Sequence, residues 1–228
     1  LRKSETLSTL GLLTAEIAHE IRNPLLVIKL LHGTLGTDFA ANDPRRRDLQ
    51  VITEKIDQLE GLASRVLSFG RAPTALHSPW ALAEILDDTF VLLRAKLAQA
   101  GVELHYPAPD PGLRVEANKG QLQQVILNLA FNSLSAMPHG GRLTVTCAGE
   151  ATAHGRVVLV DLADTGTGIP EPIRARVFES FLSGRGDGTG LGLAIAARIM
   201  KDHRGELAIL RTGPLGTTMR LTLPLTSG

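Results

Sequence analysis

The chain has 228 residues, of which 43% are apolar and 21% are charged, and its formal net charge is +1. These values are typical of a globular protein with one large or two modest domains, and they argue against a dedicated nucleic-acid binder with a concentrated basic face. No apolar run reaches the roughly 20 residues that cross a bilayer. The chain starts at Leu1 without a signal-peptide core, so we expect a cytoplasmic fragment whose missing N-terminal region could anchor the full protein.

The pattern over residues 5–35 predicts a long first helix. Apolar or small residues recur three and four positions apart, which is the seam of a helix packed in a bundle. His19 falls opposite this seam, and Asn23 lies one turn later on the same exposed face. Pro24 removes a backbone donor and should bend the helix. A histidine displayed beside Glu20 on such a face indicates that its imidazole is offered to another molecule.

A second helix is predicted to begin with Asp43 as its N-cap and Pro44 at the first helical position. It repeats the apolar seam over residues 52–70, so the two helices should form an antiparallel hairpin. One hairpin cannot bury a seam of this length. We therefore predict that two chains pair into a four-helix bundle.

Helices and strands alternate after a predicted linker at 72–79. Helices are predicted over residues 80–99, 119–137 and 189–202, and strands over 102–106, 113–116, 142–147, 157–163, 207–210 and 217–223. This order predicts an α+β fold in which helices cover one face of a mixed sheet. The only cysteine, Cys147, falls in a strand, which favours a packed thiol over a catalytic one. Asp161 is interpreted as a solvated residue on the alternate face of its strand.

Two asparagines, Asn128 and Asn132, lie four residues apart in the apolar helix predicted over 119–137. Asparagine is a poor helix former, and the spacing places both side chains on one face. A solvent-facing polar stripe would explain an isolated pair. An amide oxygen can also ligate Mg²⁺ that remains bound to phosphates. The residues alone leave both interpretations open.

The strand predicted over 157–163 runs directly into Asp164, Gly166 and Gly168. A carboxylate at the end of a buried strand, followed by glycines, commonly forms a pocket for a small molecule. An ionised carboxylate there would accept a hydrogen bond from the amino group of adenine and repel the oxygen of guanine. A simple turn stabilised by the aspartate would satisfy the same pattern.

Segment 184–193 contains a glycine at every second position and opens into a helix. Backbone N–H groups at such a helix start can cradle phosphates. A flexible linker is disfavoured because the glycines lead into an apolar helix. Neither the P-loop pattern nor G-x-G-x-x-G occurs in this segment.

Taken together, these stretches resemble the sensor histidine kinases of two-component signalling over nearly the whole chain. The phosphoacceptor pattern H-E-x-x-N-P-L is reproduced at 19–25, and the asparagine pattern N-L-x-x-N-[AS] at 128–133. The glycine patterns D-x-G-x-G-I and G-T-G-L-G-L match at 164–169 and 188–193, and the phenylalanine motif is recognisable at 177–181.

The chain departs from the family pattern around the predicted lid. Ser180 stands where proline is usual, and Ser183, Gly184 and Arg185 replace the common Thr-Thr-Lys. These changes predict a more mobile lid, with Arg185 as the cation near the phosphates. Asn118 replaces a common aspartate, but either residue can cap a helix.

The resemblance implies a dimerising histidine-phosphotransfer hairpin over 1–71, a linker over 72–79 and a gyrase-type ATP-binding α/β sandwich over 80–228. It implies autophosphorylation of His19 by ATP, with Glu20 and Asn23 as further catalytic residues. Phosphoryl transfer to an aspartate of a response-regulator receiver domain would follow, with phosphatase action on that partner. The implied ligands are ATP and Mg²⁺, the metal being held by Asn132; the implied assembly is a homodimer, without nucleic-acid or membrane contacts from this fragment.

The resemblance also implies a set of nucleotide-binding residues. They are Asn128, Asn132, Asp164, Gly166, Gly168, Ile169, Phe178, Phe181, Arg185, Gly188, Thr189, Gly190, Leu191 and Gly192.

Three other hypotheses compete with this one. A zinc metalloprotease would need a second histidine in H-E-x-x-H, where the chain has Asn23. An ATP-driven conformational switch without histidine phosphorylation leaves the exposed face around His19 unexplained. A dimeric scaffold with a dead nucleotide site is disfavoured by the intact asparagine and glycine motifs, and nucleotide binding with and without Mg²⁺ would test it.

Overall fold

The computed structural model describes residues 77–153, 155–180 and 190–226, together with Ile28, Asp43, Arg45, Arg47, Asp48 and Ile52. The chain divides into two compact units, Leu1–Pro73 and Thr74–Gly228. The predicted phosphoacceptor residues His19, Glu20 and Asn23 lie outside the described residues.

The predicted start of the second helix in the first unit is confirmed. The Asp43 Oδ1 atom accepts a hydrogen bond from the Arg45 backbone N–H at 2.9 Å, as an N-cap does. Arg45, Arg47, Asp48 and Ile52 are helical. Hydrogen bonds from the Arg45 side chain and backbone lower the pKa of Asp43 to about 2, so this cap stays charged at neutral pH.

The described residues of the second unit form four helices and seven strands, numbered here in chain order. The helices are α1 (Leu82–Gln99), α2 (Lys119–Ala136), α3 (Glu171–Arg174) and α4 (Gly192–Asp202). The strands are β1 (Ser78–Ala81), β2 (Val102–His105), β3 (Arg114–Ala117), β4 (Gly141–Thr152), β5 (Gly155–Asp164), β6 (Glu206–Gly213) and β7 (Gly216–Pro224).

The main sheet has five strands in the order β2-β4-β5-β7-β6. Strand β2 is parallel to β4, whereas the other neighbours are antiparallel, so the predicted mixed sheet is confirmed. Strands β1 and β3 form a separate antiparallel pair. None of the described helices is long and apolar enough to cross a membrane.

The core lies between one face of the sheet and helices α1, α2 and α4. Alternate residues of the central strands point inward, as the two-residue period of a strand requires; they include Leu143, Val145, Val158, Val160, Leu162, Leu221 and Leu223. Apolar side chains of α1 and α2 pack against this face of the sheet. A small apolar cavity lies between them and Val160 of β5, and it is lined from the helices by Leu82, Ile85, Leu86, Leu122 and Ile126. The predicted layer arrangement, with helices over one sheet face, is therefore present.

Helix α1 begins two residues later than predicted, because Ser78–Ala81 forms strand β1. Trp80 pairs with Val115 of β3, and this partner lies far away in the sequence. Strand β1 also begins inside the range 72–79 that was predicted as linker. Pro79 is accepted because this two-stranded pair is outside the main sheet, where a missing backbone donor costs little.

Asp161 is not simply solvated, in contrast to the prediction. It lies opposite Arg220 across strands β5 and β7 and forms two hydrogen bonds with that guanidinium, both 2.7 Å long. Both side chains are partly buried, with exposures of 21% for Asp161 and 32% for Arg220. The pairing satisfies a charge that would otherwise sit uncompensated on the sheet surface.

Cys147 lies in β4 as a free, half-buried thiol, which confirms the expected packed cysteine. Burial raises the pKa of this thiol to about 12. The nucleophilic thiolate is therefore negligible at neutral pH, and a catalytic role is disfavoured.

Candidate nucleotide-binding site

The carboxylate of Asp164 at the end of β5 is buried and surrounded by donors. Its Oδ1 atom accepts hydrogen bonds from the backbone N–H groups of Gly166 at 2.9 Å and Thr217 at 3.1 Å. Its Oδ2 atom accepts from the Ser133 hydroxyl at 3.1 Å. Three donors hold the carboxylate in one orientation at 7% exposure. Each carboxylate oxygen can accept more than one hydrogen bond, so the group can still receive a ligand's donor.

The loop after Asp164 is fixed by close backbone contacts on two sides. A side chain at Gly166 would lie 2.6 Å from the Ala136 side chain at the end of α2. The Thr167 backbone N–H donates to the Ala136 carbonyl at 3.1 Å. On the other side, the Ile169 backbone N–H donates to the Thr212 hydroxyl at 2.9 Å. The absence of a side chain at Gly166 therefore lets the loop pack closely against the end of α2.

Gly168 provides a direct test of this packing. Its φ of +78° is in the left-handed region, and a side chain would collide with the Gly213 carbonyl. We expect Gly168→Ala to lower the free energy of unfolding by about 1–3 kcal/mol or more, measured by denaturant titration.

Gly213→Ala is the matched control, because no heavy atom beyond its two chain neighbours lies within 4 Å of the Cβ atom that it adds. We expect it to change the free energy of unfolding by about 0.5 kcal/mol or less. Equal losses in the two variants would contradict the packing assigned to Gly168.

Asn128 is buried at 8% exposure, so a solvent-facing polar stripe does not explain it. Its Nδ2 group donates to the Gly192 carbonyl at 3.1 Å and ties α2 to the start of α4. Asn132, one turn later, is exposed. The two amides share a helix but have different environments: one joins helices and the other is open to a ligand.

The start of α4 presents backbone donors. Gly190 has a φ of +64°, Leu191 is buried, and no described side chain caps the first turn that begins at Gly192. Free N–H groups at a helix start favour an anion such as phosphate. Gly188 and Thr189, which precede this turn, lie outside the described residues.

The remaining predicted site residues are divided between the described and undescribed parts of the chain. Phe178 and Ile169 are half-buried, and Val177 is buried beside Phe178. Phe181 and Arg185 lie outside the described residues, together with the predicted lid.

Sequence analysis did not single out Ser133, Thr217 or the turn between β6 and β7 as parts of the site. Ser133 and Thr217 orient Asp164, and Gly216 allows close approach to the Asp164 carbonyl at a φ of +125°. Ser133 could have been found, because it follows Asn132 in the asparagine motif. Thr217 could not, since its contact depends on the register of β7.

The described residues could bind Mg²⁺ only if the ion is also bound to phosphates. Across the part of the chain that the structure describes, no group of three or more His, Cys, Asp or Glu side chains is arranged to hold a metal. The exposed Asn132 amide offers one uncharged oxygen of the type that Mg²⁺ accepts, while phosphates and water would supply its other ligands.

Comparisons with family models match both units. The model "His Kinase A (phospho-acceptor) domain" matches residues 9–75. The model "Histidine kinase-, DNA gyrase B-, and HSP90-like ATPase" matches residues 117–227. Together the two models cover most of the chain.

Curated relatives are longer than this chain. Sporulation kinase E of Bacillus subtilis (strain 168) is 32% identical over 99% of the chain and 30% of its own length. The signal transduction histidine-protein kinase AtoS of Escherichia coli (strain K12) is 29% identical over 98% of the chain and 36% of its own length. The chain thus spans about a third of these two relatives.

Solved structures extend the similarity to the fold. Full-length ShkA in complex with AMPPNP has a TM-score of 0.71 and 28% identity, covering 94% of this chain and 46% of that one. Histidine kinase ThkA in complex with response regulator protein TrrA has a TM-score of 0.68 and 25% identity, covering 98% of this chain and 64% of that one. The chain therefore belongs to the sensor histidine kinases, a family of protein-histidine kinases, and carries their catalytic core.

Proposed function

We propose that this chain phosphorylates its own His19 with ATP and passes the phosphoryl group to an aspartate of a response-regulator receiver domain. The observation that carries the proposal is the buried Asp164 carboxylate, oriented by three donors beside a glycine loop. Matches to an ATPase-type model and to a phospho-acceptor model support the pairing of nucleotide site and acceptor.

Asp164 would select adenine by accepting a hydrogen bond from its amino group. The three donors already around the carboxylate fix where its free lone pairs point, so recognition needs no rearrangement. Guanine presents an oxygen at the same position, and two acceptors would face each other. The proposed residues Gly166, Gly168 and Ile169 would form the wall of this pocket.

The phosphates would lie towards the start of α4, where Gly190, Leu191 and Gly192 present backbone N–H groups. Asn132 would bind Mg²⁺ through its amide oxygen, and Asn128 would hold the start of α4 in place. Mg²⁺, when bound, would neutralise charge on the phosphates. Phe178, Phe181, Arg185, Gly188 and Thr189 would form the lid over them.

His19 would supply the nucleophile from the first unit, over the proposed range 1–71. One ring nitrogen of His19 would form a bond to the γ-phosphorus while the bond to the bridging oxygen breaks, and ADP would leave. Glu20 would hydrogen-bond the other ring nitrogen, fix the tautomer and accept its proton. Phosphoryl transfer depends mainly on positioning and charge neutralisation, which suits an acceptor and an ATP site on separate units joined by a linker at 72–79.

A homodimer is supported by the exposure of two seam residues. Ile28 is 48% exposed and Ile52 is 44% exposed in the single chain, although both belong to the apolar seams of the predicted hairpin. A second hairpin packed on these seams would cover them, as in a four-helix bundle. The ThkA complex with TrrA supports a response-regulator partner for this chain as well.

The adenine assignment is tested by calorimetric titration with ATP and GTP, each with Mg²⁺. We expect ATP to bind at least about tenfold more tightly than GTP. The Asp164 carboxylate would accept a hydrogen bond from the amino group of adenine, whereas the guanine oxygen at that position cannot donate one. Equal affinities would contradict the proposed role of Asp164.

A phosphatase activity is proposed for the same histidine face, with Asn23 orienting the attacking water. We expect Asn23→Ala to slow dephosphorylation of the receiver domain by about 10- to 100-fold, while autophosphorylation changes far less. Both rates can be measured on one preparation with a phosphorylated receiver domain and labelled ATP. Equal losses in the two rates would contradict a water-orienting role.

A further inference from the structure

Helices α2 and α4 run antiparallel and are joined by hydrogen bonds at both ends of their contact. At the candidate site, the Asn128 side chain donates to the Gly192 carbonyl at 3.1 Å. At the opposite end, the His203 Nε2 atom accepts from the Asn118 backbone N–H at 3.1 Å. The two bonds are separated by about 15 Å of helix, the rise of ten or eleven residues.

His203 can accept this bond only as a neutral ring. Its side chain is buried, and Nδ1 lies 2.8 Å from the Ile199 carbonyl, which can only accept. Nδ1 must therefore carry the proton, which leaves the Nε2 lone pair for the Asn118 N–H. Asn118 also caps α2 by accepting from the Gln121 N–H at 3.0 Å, so the bond holds the start of the helix.

The surroundings of His203 oppose its protonation. Burial lowers the pKa of His203 below its usual range, and His77 acts in the same direction. The His77 ring packs edge-on against it, with the ring centres 4.5 Å apart. The hydrogen bond to the Ile199 carbonyl and the charge of Asp202 act in the opposite direction, but burial has the largest effect and the pKa of His203 is lowered. Lys119, next to Asn118, is paired with Asp88 of α1 at 2.6 Å.

We propose that His203 is a positioning residue for nucleotide binding, and that its protonation weakens the site. In a protonated ring, Nε2 carries a hydrogen and can no longer accept from the Asn118 N–H. The two donors would then face each other, and the contact between α2 and α4 would open at this end. Because α4 is a short rigid helix, a displaced C-terminal end also moves Gly192 relative to Asn128. The inference rests on the proposed nucleotide site and assigns it a pH response.

The direction of the response follows from the lowered pKa. The ring is neutral in the folded chain at pH 7 and above, so the α2–α4 contact is intact there. Protonation begins only as pH falls below about 6.5, the ordinary value for histidine. Nucleotide affinity should therefore be constant at neutral pH and decrease in the acidic range.

The test compares Mg²⁺-ATP affinity of the full chain between pH 5 and 8 with that of two variants. His203→Gln keeps an acceptor near the position of Nε2 but does not titrate in this range. His105→Gln removes an exposed histidine of β2 as the matched control. Between pH 8 and pH 5, we expect the affinity of the unaltered chain and of His105→Gln for Mg²⁺-ATP to decrease about tenfold more than that of His203→Gln. A tenfold change is the effect of one lost hydrogen bond. Protonation of ATP itself is common to all three and cancels in the ratios.

Parallel pH profiles for the unaltered chain and His203→Gln would overturn the inference but leave the proposed function intact, because ATP would still bind. A purely structural histidine would give that result, with the variant less stable at every pH. Absence of ATP binding at pH 7.5 would contradict the proposed function itself, and this inference with it. The Asn118 amide resonance, followed by NMR without nucleotide, should move with the titration of the His203 ring; a resonance that does not follow it would also overturn the inference.

Discussion

Replacing His19 by glutamine is expected to abolish acid-labile labelling of the chain by γ-labelled ATP. Glutamine cannot form the phosphorus–nitrogen bond of phosphohistidine, and the pattern H-E-x-x-N occurs in this sequence only at His19. ATP affinity should stay within about a factor of two, since the proposed nucleotide site lies on the other unit. Labelling is measured after incubation with Mg²⁺ and ATP, and affinity by calorimetry on the same preparation.

His105→Gln is the control for this experiment, because it removes an exposed histidine of the ATP-binding unit. It should keep full labelling. Persistent acid-labile label in His19→Gln would refute the phosphoacceptor assignment. Loss of both label and ATP binding would indicate that the substitution had damaged the protein as a whole.

Replacing Asp164 by asparagine is expected to weaken ATP binding by roughly 10- to 150-fold, the range for losing a hydrogen bond to a charged group. The fold should survive. The asparagine oxygen can still accept from the N–H groups of Gly166 and Thr217, and the Ser133 hydroxyl can accept from its amide. A lower ATP affinity would therefore result from the lost hydrogen bond to ATP and not from a damaged fold.

Asp161→Asn is the matched control for Asp164→Asn, because Asp161 lies on the same strand but pairs with Arg220. This change should cost up to about 1 kcal/mol of stability, the upper end for a solvent-accessible pair, and leave ATP affinity unchanged. Unchanged affinity in Asp164→Asn would mean that the pocket lies elsewhere. Equal losses in both variants would indicate a general effect of removing a carboxylate from β5.

The sequence predicted the layers of the second unit well because its periodicities are local. The strand over β5 alternates, ends in a carboxylate and is followed by glycines, and each of these features acts on neighbouring residues. The Asp43 cap is equally local, and it was predicted correctly.

Contacts between distant segments could not be predicted in the same way. Strand β1 exists because Trp80 meets Val115, and the Asp161–Arg220 pair exists because β7 has one register against β5. Thr217 orients Asp164 for the same reason. No local pattern in the sequence specifies a register between strands so far apart.

The bond between His203 and Asn118 belongs to this second class. A histidine near the end of a helix has many local explanations, and only the folded chain brings it to the start of α2. The buried Asn128 illustrates both classes, since the motif identified the residue and the structure showed its bond to Gly192.

The central claim is tested most directly by mapping the residue that the chain labels with γ-labelled ATP and Mg²⁺. The labelled chain is challenged with acid and with alkali and then digested, and the labelled peptide is sequenced by mass spectrometry at neutral to alkaline pH. The proposed function predicts a label that is lost in acid, survives alkali and maps to His19. Acid-stable label, label on another residue, or tight ATP binding without any label would contradict it.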